Sequence, residues 1–160
     1  MFAIAMLVSA ALFVPAPVGT CPFASCDVSG FGAGTGVCSS STLQASFSGA
    51  DCRLSLSFAV DEFSCGNTFL TQQLLIVGLQ SIPAGVGVGP QFIEDSRLYV
   101  VPLALIGPLP GASASFALPH TPSLIGLTFF LQTAPTFVTT ISNPPDVEIG
   151  LSSALQLTLQ

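Results

Sequence analysis

Charge is the first thing this sequence lacks. Only 6% of its 160 residues are charged, about a quarter of the usual share. The cations are Arg53 and Arg97 alone, lysine is absent, and the formal net charge is −6. A nucleic-acid surface needs several cationic phosphate contacts. Nucleic acid is therefore excluded as a partner, and adhesion to anionic lipid goes with it. Tryptophan is absent and Tyr99 is the single tyrosine, so the aromatic platform on which sugars stack is thin. That counts against a glycosidase, which also needs a pair of carboxylates across a sugar cleft, and it weakens a carbohydrate-binding module.

Catalytic residue types are equally scarce. His120 is the only histidine. A nucleophilic triad would need it beside an acid and a Ser or Cys, and the serines include no Gly-x-Ser-x-Gly elbow. His120 reads instead as an exposed residue of the turn bounded by Pro119 and Pro122. Asp61-Glu62 and Glu94-Asp95 are adjacent acidic pairs, and Asp146 and Glu148 share one face of a strand. None forms the Asp-x-Asp-x-Asp-Gly loop of a calcium site. They read as solvated acids, with Arg53 or Arg97 as partners. The glycine run at residues 29–36 has neither the following helix nor the lysine of a phosphate cradle. The expectation is a protein that is not an enzyme, with no catalytic residue, no metal site and no cofactor.

What is present is apolar and extended. Half of the residues are hydrophobic, and 13 of them are phenylalanine. With so little charge, wet faces must be made of Ser, Thr, Gln and backbone. Five cysteines, Cys21, Cys26, Cys38, Cys52 and Cys65, fall in the first 65 residues. They fit no zinc pattern, and they indicate an oxidising compartment with two local disulfides. One thiol is then left over, and the pairing is open among fifteen arrangements.

Residues 1–14 are uncharged and apolar, and Pro15-Ala16-Pro17 follows. The run has the length of a signal-peptide core and is too short to span a bilayer easily. It lacks a basic n-region and a clean cleavage site. Residues 1–17 are therefore expected to be either a signal-like segment or a retained strand donated to a neighbour's sheet. Phe2, Ile4, Met6, Val8 and Phe13 are then the candidate assembly residues. Residues 18–160 form a single domain.

Within that domain, period-two alternation marks residues 43–48 and 53–60 as a hairpin. Leu54, Leu56, Phe58 and Val60 point one way, and Arg53, Ser55 and Ser57 the other. Residues 68–79 are a longer apolar run, read as a more fully buried strand. Residues 81–90 read as a loop from their Pro and Gly content. Residues 97–106 read as one strand, with Pro102 at an edge or bulge. Residues 112–118 form a small-residue strand, and Pro122 starts a short helical turn. The C-terminal run holds two strands, 124–132 and 147–159, separated by a Thr-rich stretch and a turn at residues 143–146. Phe129 and Phe130 must point to opposite faces, so one ring is covered by a second layer or offered to a partner. The expected fold is an all-β antiparallel sandwich, immunoglobulin-like or jelly-roll-like, of about seven to nine strands.

Three segments carry a family resemblance: RLYVVPL at 97–103, GASASFALPHTPSLIGLTFFLQ at 111–132 and LSSALQLTLQ at 151–160. Together they resemble a domain common in uncharacterised secreted proteins of planctomycete-type bacteria. There a small-residue strand leads into a Pro-Ser-Leu-x-Gly segment, and the chain ends on an apolar strand. His120 stands where a polar turn residue is usual, and Ser153 stands in place of the usual Asn. The resemblance covers the C-terminal part and not the cysteine-rich half. It implies export and a β-sandwich, and it supplies no catalytic residue. The combined expectation is a secreted, extracellular or cell-surface protein with no transmembrane span. It would act as a homo-oligomer or filament of identical subunits, with Phe129 and Phe130 among the assembly candidates. The alternative expectation is a binding module for glycans or a surface protein, using the loops at 81–90 and 119–122.

Overall fold

The structure is a computed structural model, and it describes residues 20–35, 41–60, 68–109, 112–140 and 144–160. The expected assembly residues Phe2, Ile4, Met6, Val8 and Phe13 lie outside this set, as do Cys38, Cys65 and the Asp61-Glu62 pair.

The chain is an all-β antiparallel sandwich. In chain order the strands are β1 (Cys26–Phe31), β2 (Ser41–Ser48), β3 (Arg53–Val60), β4 (Thr68–Gly78), β5 (Ser81–Gly87) and β6 (Arg97–Val100). They continue with β7 (Ala104–Leu109), β8 (Ser113–Ala117), β9 (Thr128–Thr139), β10 (Asp146–Ile149) and β11 (Ala154–Leu159). The main sheet has the order β1-β11-β9-β4-β7, with β10 also paired to β9. Strands β2-β3-β8 make a second sheet, and β5-β6 make a separate hairpin.

Alternation builds the first interface. Leu43 on β2, then Leu54, Leu56 and Phe58 on β3, and Phe116 on β8 are buried against the main sheet. From the main sheet Leu75 and Val77 on β4, Leu131 on β9, Ile106 on β7, and Leu155, Leu157 and Leu159 on β11 meet them. Each fully buried leucine contributes about 2 kcal/mol from surface removed from water. The Cys21–Cys52 disulfide ties the segment before β1 to the β2–β3 turn.

The opposite face of the main sheet is covered as well. Hairpin β5-β6 lies over it, and Ile76, Tyr99, Val100, Ala134, Leu151 and Ala154 are buried there. Coverage on both faces explains why residues 74–78 read as a continuous apolar run rather than an alternating one. It also settles the Phe129-Phe130 pair. Phe129 packs against the first core, whereas Phe130 packs against the second and meets Phe31 edge-on at 6.1 Å.

Several expected boundaries differ. The Thr-rich stretch after residue 132 does not separate strands but belongs to β9, which runs for 12 residues and contains Pro135. Proline is tolerated there because the strand on that side is interrupted. Pro135 accepts from the Gly150 N–H, so its missing donor faces the break between β10 and β11. Residues 147–159 consequently form two strands. Residues 97–106 also divide, since β6 and β7 belong to different sheets with Pro102 in the link between them. Residues 81–87, read as a loop, form edge strand β5. Its pairing shifts register between Ser81 and Val86, which accommodates Pro83 and Gly85. The expected short helical turn is a 3-10 turn at Pro122–Leu124. Eleven strands thus occur among the described residues, against the seven to nine expected.

Candidate functional site

Several of the polar side chains expected to supply wet faces lie inside instead. Gln132, with no exposed surface, bridges three segments. Its Nε2 donates to the carbonyls of Arg97 at 2.8 Å and Ser152 at 2.9 Å, and its Oε1 accepts from the Tyr99 N–H at 2.9 Å. Because both Arg97 and Tyr99 are on β6, this one side chain caps the open edge of the hairpin. Nearby, the Ser152 hydroxyl accepts from the Thr133 N–H, Thr35 and Ser96 share a hydroxyl hydrogen bond, and Ser41 donates to the carbonyls of Thr35 and Leu151. Tyr99 donates no ladder bond here but accepts from the Ala33 N–H at its hydroxyl. Its ring leaves no room for a side chain at Gly32, where φ is +75°. These groups are satisfied by one another, so the cluster is architectural. Sequence reading missed it, since nothing in the local pattern separates a buried Gln from an exposed one.

The chemically active candidates are dispersed. His120 is half-buried rather than exposed, and neither ring nitrogen has a hydrogen-bond partner. Glu94 and Asp95 are exposed in the β5–β6 connection, Asp146 is exposed and Glu148 half-buried at β10. Arg53 donates to the Ser115 hydroxyl and Arg97 to the Ala84 carbonyl. Among the described residues, no three His, Cys, Asp or Glu side chains come together as a metal site. Cys21 and Cys52 are bonded to each other, and Cys26 is a free thiol. Burial, followed by the charge of Asp27, pushes the Cys26 thiol above its ordinary value, against a smaller opposing hydrogen bond from the Thr158 backbone. Such a thiol is held in its unreactive protonated form.

A cavity of about 450 Å³ lies in the β5–β6 connection, lined by residues 87–90 and 92–97, including Phe92, Glu94, Asp95 and Arg97. The connection is anchored by Ile93, whose N–H donates to the Ile149 carbonyl of β10.

Strand edges form the remaining candidate surface. An unpaired edge is a template for a further strand unless something blocks it. Edge β7 is interrupted by Pro108 and β5 by Pro83. Gln132 caps β6. The start of β2 is tied to Ser153, whose N–H donates to the Ser41 carbonyl and whose hydroxyl accepts from the Leu43 N–H. Edge β10 is tied at Ile149, whose carbonyl accepts from the Ile93 N–H. Two edges, β1 and β8, carry neither proline nor such a tie among the described residues. On β1 the direction of the free groups can be assigned. Ser25 and Gln160 exchange both N–H···O bonds, at 3.3 and 2.9 Å, so by the two-residue period Asp27, Ser29 and Phe31 face β11. The backbone groups of Cys26, Val28 and Gly30 therefore point away from the sheet.

Apolar side chains accompany these edges. Val28 is 38% exposed, and Phe69, Val138 and Val147 lie directly opposite one another across β4, β9 and β10. Phe69 and Val147 are 59% and 62% exposed. No helix among the described residues is long and apolar enough to cross a membrane. No family model matches the chain, and no curated protein and no solved structure matches it.

Proposed function

We propose that this chain is a secreted, non-enzymatic structural protein of the planctomycete type that it resembles. In this reading it self-associates at the cell surface or in an extracellular filament through strand donation by residues 1–17. The observation that carries the reading is the pair of open, proline-free strand edges on a sandwich whose main sheet is already covered on both faces. A body that has satisfied its own core has no internal use for such edges, and proteins ordinarily block them. Residues 1–14 supply an uncharged, apolar segment to fill one. Donation from each subunit to the next is a head-to-tail contact, which does not close and therefore propagates. The disulfide suits an oxidising, extracellular setting. Deleting residues 1–17 tests this reading: polymers should disappear while the domain keeps its fold. Continued assembly of the shortened chain would reject strand donation.

A second reading, a binding module for glycans or a surface protein, is favoured by the cavity at residues 87–97. It predicts monomers that bind a glycan array saturably, and loss of that binding on Arg97→Ala.

A further inference from the structure

We infer that edge strand β1 receives the donated segment, and that Gly30 is the slot into which a large side chain of that segment packs. The inference rests on the self-association reading above and specifies its acceptor site.

Three observations select β1. It is the longer of the two open edges, with 6 residues against 5 on β8. Its outward backbone groups, on Cys26, Val28 and Gly30, have no partner among the described residues. Its side chains on the sandwich seam are also incomplete. Val28 is opposite Leu157 and Gly30 opposite Leu155, so both belong to the row that faces the first core. On β8 the equivalent inward position, Phe116, is buried. On β1 that row ends in the partly exposed Val28 and in a glycine.

Nothing about the backbone requires glycine at position 30. Its φ lies outside the left-handed region, and an added Cβ would meet only the Leu155 Cδ2 at 3.7 Å and the Ala154 oxygen at 4.0 Å. Those are ordinary van der Waals distances. Glycine in a strand interior weakens it, unless a neighbouring strand lays a large side chain across the gap. Aromatic rings on an adjacent strand rescue edge glycines in this manner. Residues 2–6 of the segment 1–14 alternate large and small, with Phe2, Ile4 and Met6 separated by Ala3 and Ala5, which suits the two-residue period of an added strand.

The occupant is that segment from a second copy. The described chain begins at Thr20, and Cys21 is fixed to Cys52 on the smaller sheet. Pro15-Ala16-Pro17 separates this anchor from the segment in the sequence, and the head-to-tail arrangement proposed above assigns the segment to the β1 edge of the next subunit.

The test uses the intact chain carrying Val28→Pro. The Val28 N–H points away from β11, so proline removes an acceptor-edge donor without breaking the sheet. Val28→Lys, at a side chain already partly exposed, places a charge in the seam without a backbone change. Ala117→Pro makes the equivalent change on β8, where the outward residues alternate with the bonded Leu118. Sedimentation and circular dichroism then report assembly and fold. The expected result is polymer from the wild type and from A117P, and folded monomer from both V28P and V28K. Polymer from a folded V28P and V28K would overturn the β1 site while leaving self-association intact. Monomer from A117P with polymer from both Val28 variants would move the site to β8. Wild-type monomers with residues 1–17 retained would overturn the underlying reading as well. If those monomers also protected the Val28 and Gly30 amides from hydrogen exchange, the segment would be filling its own edge.

Discussion

Replacing Gln132 by leucine preserves side-chain volume and removes every polar atom from the bridge between hairpin β5-β6 and the main sheet. Three hydrogen bonds vanish: two from Nε2 to the Arg97 and Ser152 carbonyls, and one from the Tyr99 N–H to Oε1. Each bond contributes about 0.5–1.5 kcal/mol net, and a buried group left without a partner costs about 1–3 kcal/mol. Leucine recovers about 1–2 kcal/mol through its apolar surface. The net expectation is a loss of about 3 kcal/mol, or roughly 10 °C in Tm for a chain of this size. Thermal melts of wild type and Q132L measure the loss, and amide exchange locates it. The Tyr99 amide should exchange much faster in the variant, while the Leu54 and Leu56 amides on the opposite layer hold their protection relative to global stability. A melt within about 0.5 kcal/mol of wild type would show that the hairpin is held by packing alone, and would refute the role given to Gln132. Gln132→Glu adds a pH signature. A carboxylate there can accept from Tyr99 but cannot donate to either carbonyl, and burial raises its folded-state value above the unfolded one. Stability of Q132E should therefore be greatest in acid and fall as pH rises through the raised value.

Other expectations follow from the same geometry. Leu157→Ala, at a side chain with no exposed surface between the two sheets, should cost about 2–5 kcal/mol in urea melts. Cys52→Ser opens a loop with a sequence separation of 31 residues, and loop-closure entropy puts the loss at about 3–4 kcal/mol, measurable by the same melts. Cys26 should react with iodoacetamide more slowly in the native chain than in urea at one pH, because burial and Asp27 keep it protonated. Equal rates would contradict that environment.

Much of the fold was legible where one face of a strand is wet. Alternation in residues 43–48 and 53–60 located the β2-β3 hairpin and its inward Leu43, Leu54, Leu56 and Phe58 because water lies on the other side. The pattern loses this power once both faces are covered. Gln132 and Thr133 are buried polar residues inside β9, and their hydrogen-bond partners are Arg97, Tyr99 and Ser152. Those partners are distant in sequence, so no local period could reveal them. Strand β5 was hidden for a different reason. Pro83, Gly85 and Gly87 are turn formers by composition, yet an edge strand with a register shift can hold them. Strand β1 was obscured by its Ser and Gly content, and its extended form depends on the register with β11. Of the candidate surface, the uncharged, apolar character of residues 1–14 and the opposite orientation of Phe129 and Phe130 were visible. That both rings are packed, one in each core, required the second layer to be seen.

The central claim is that the intact chain assembles end to end by strand donation. Its most direct test is an electron micrograph of the native protein, taken alongside an intact-mass measurement showing whether residues 1–17 are retained. The account predicts long filaments of uniform width from material that retains the segment. Isolated particles from that same material would contradict it.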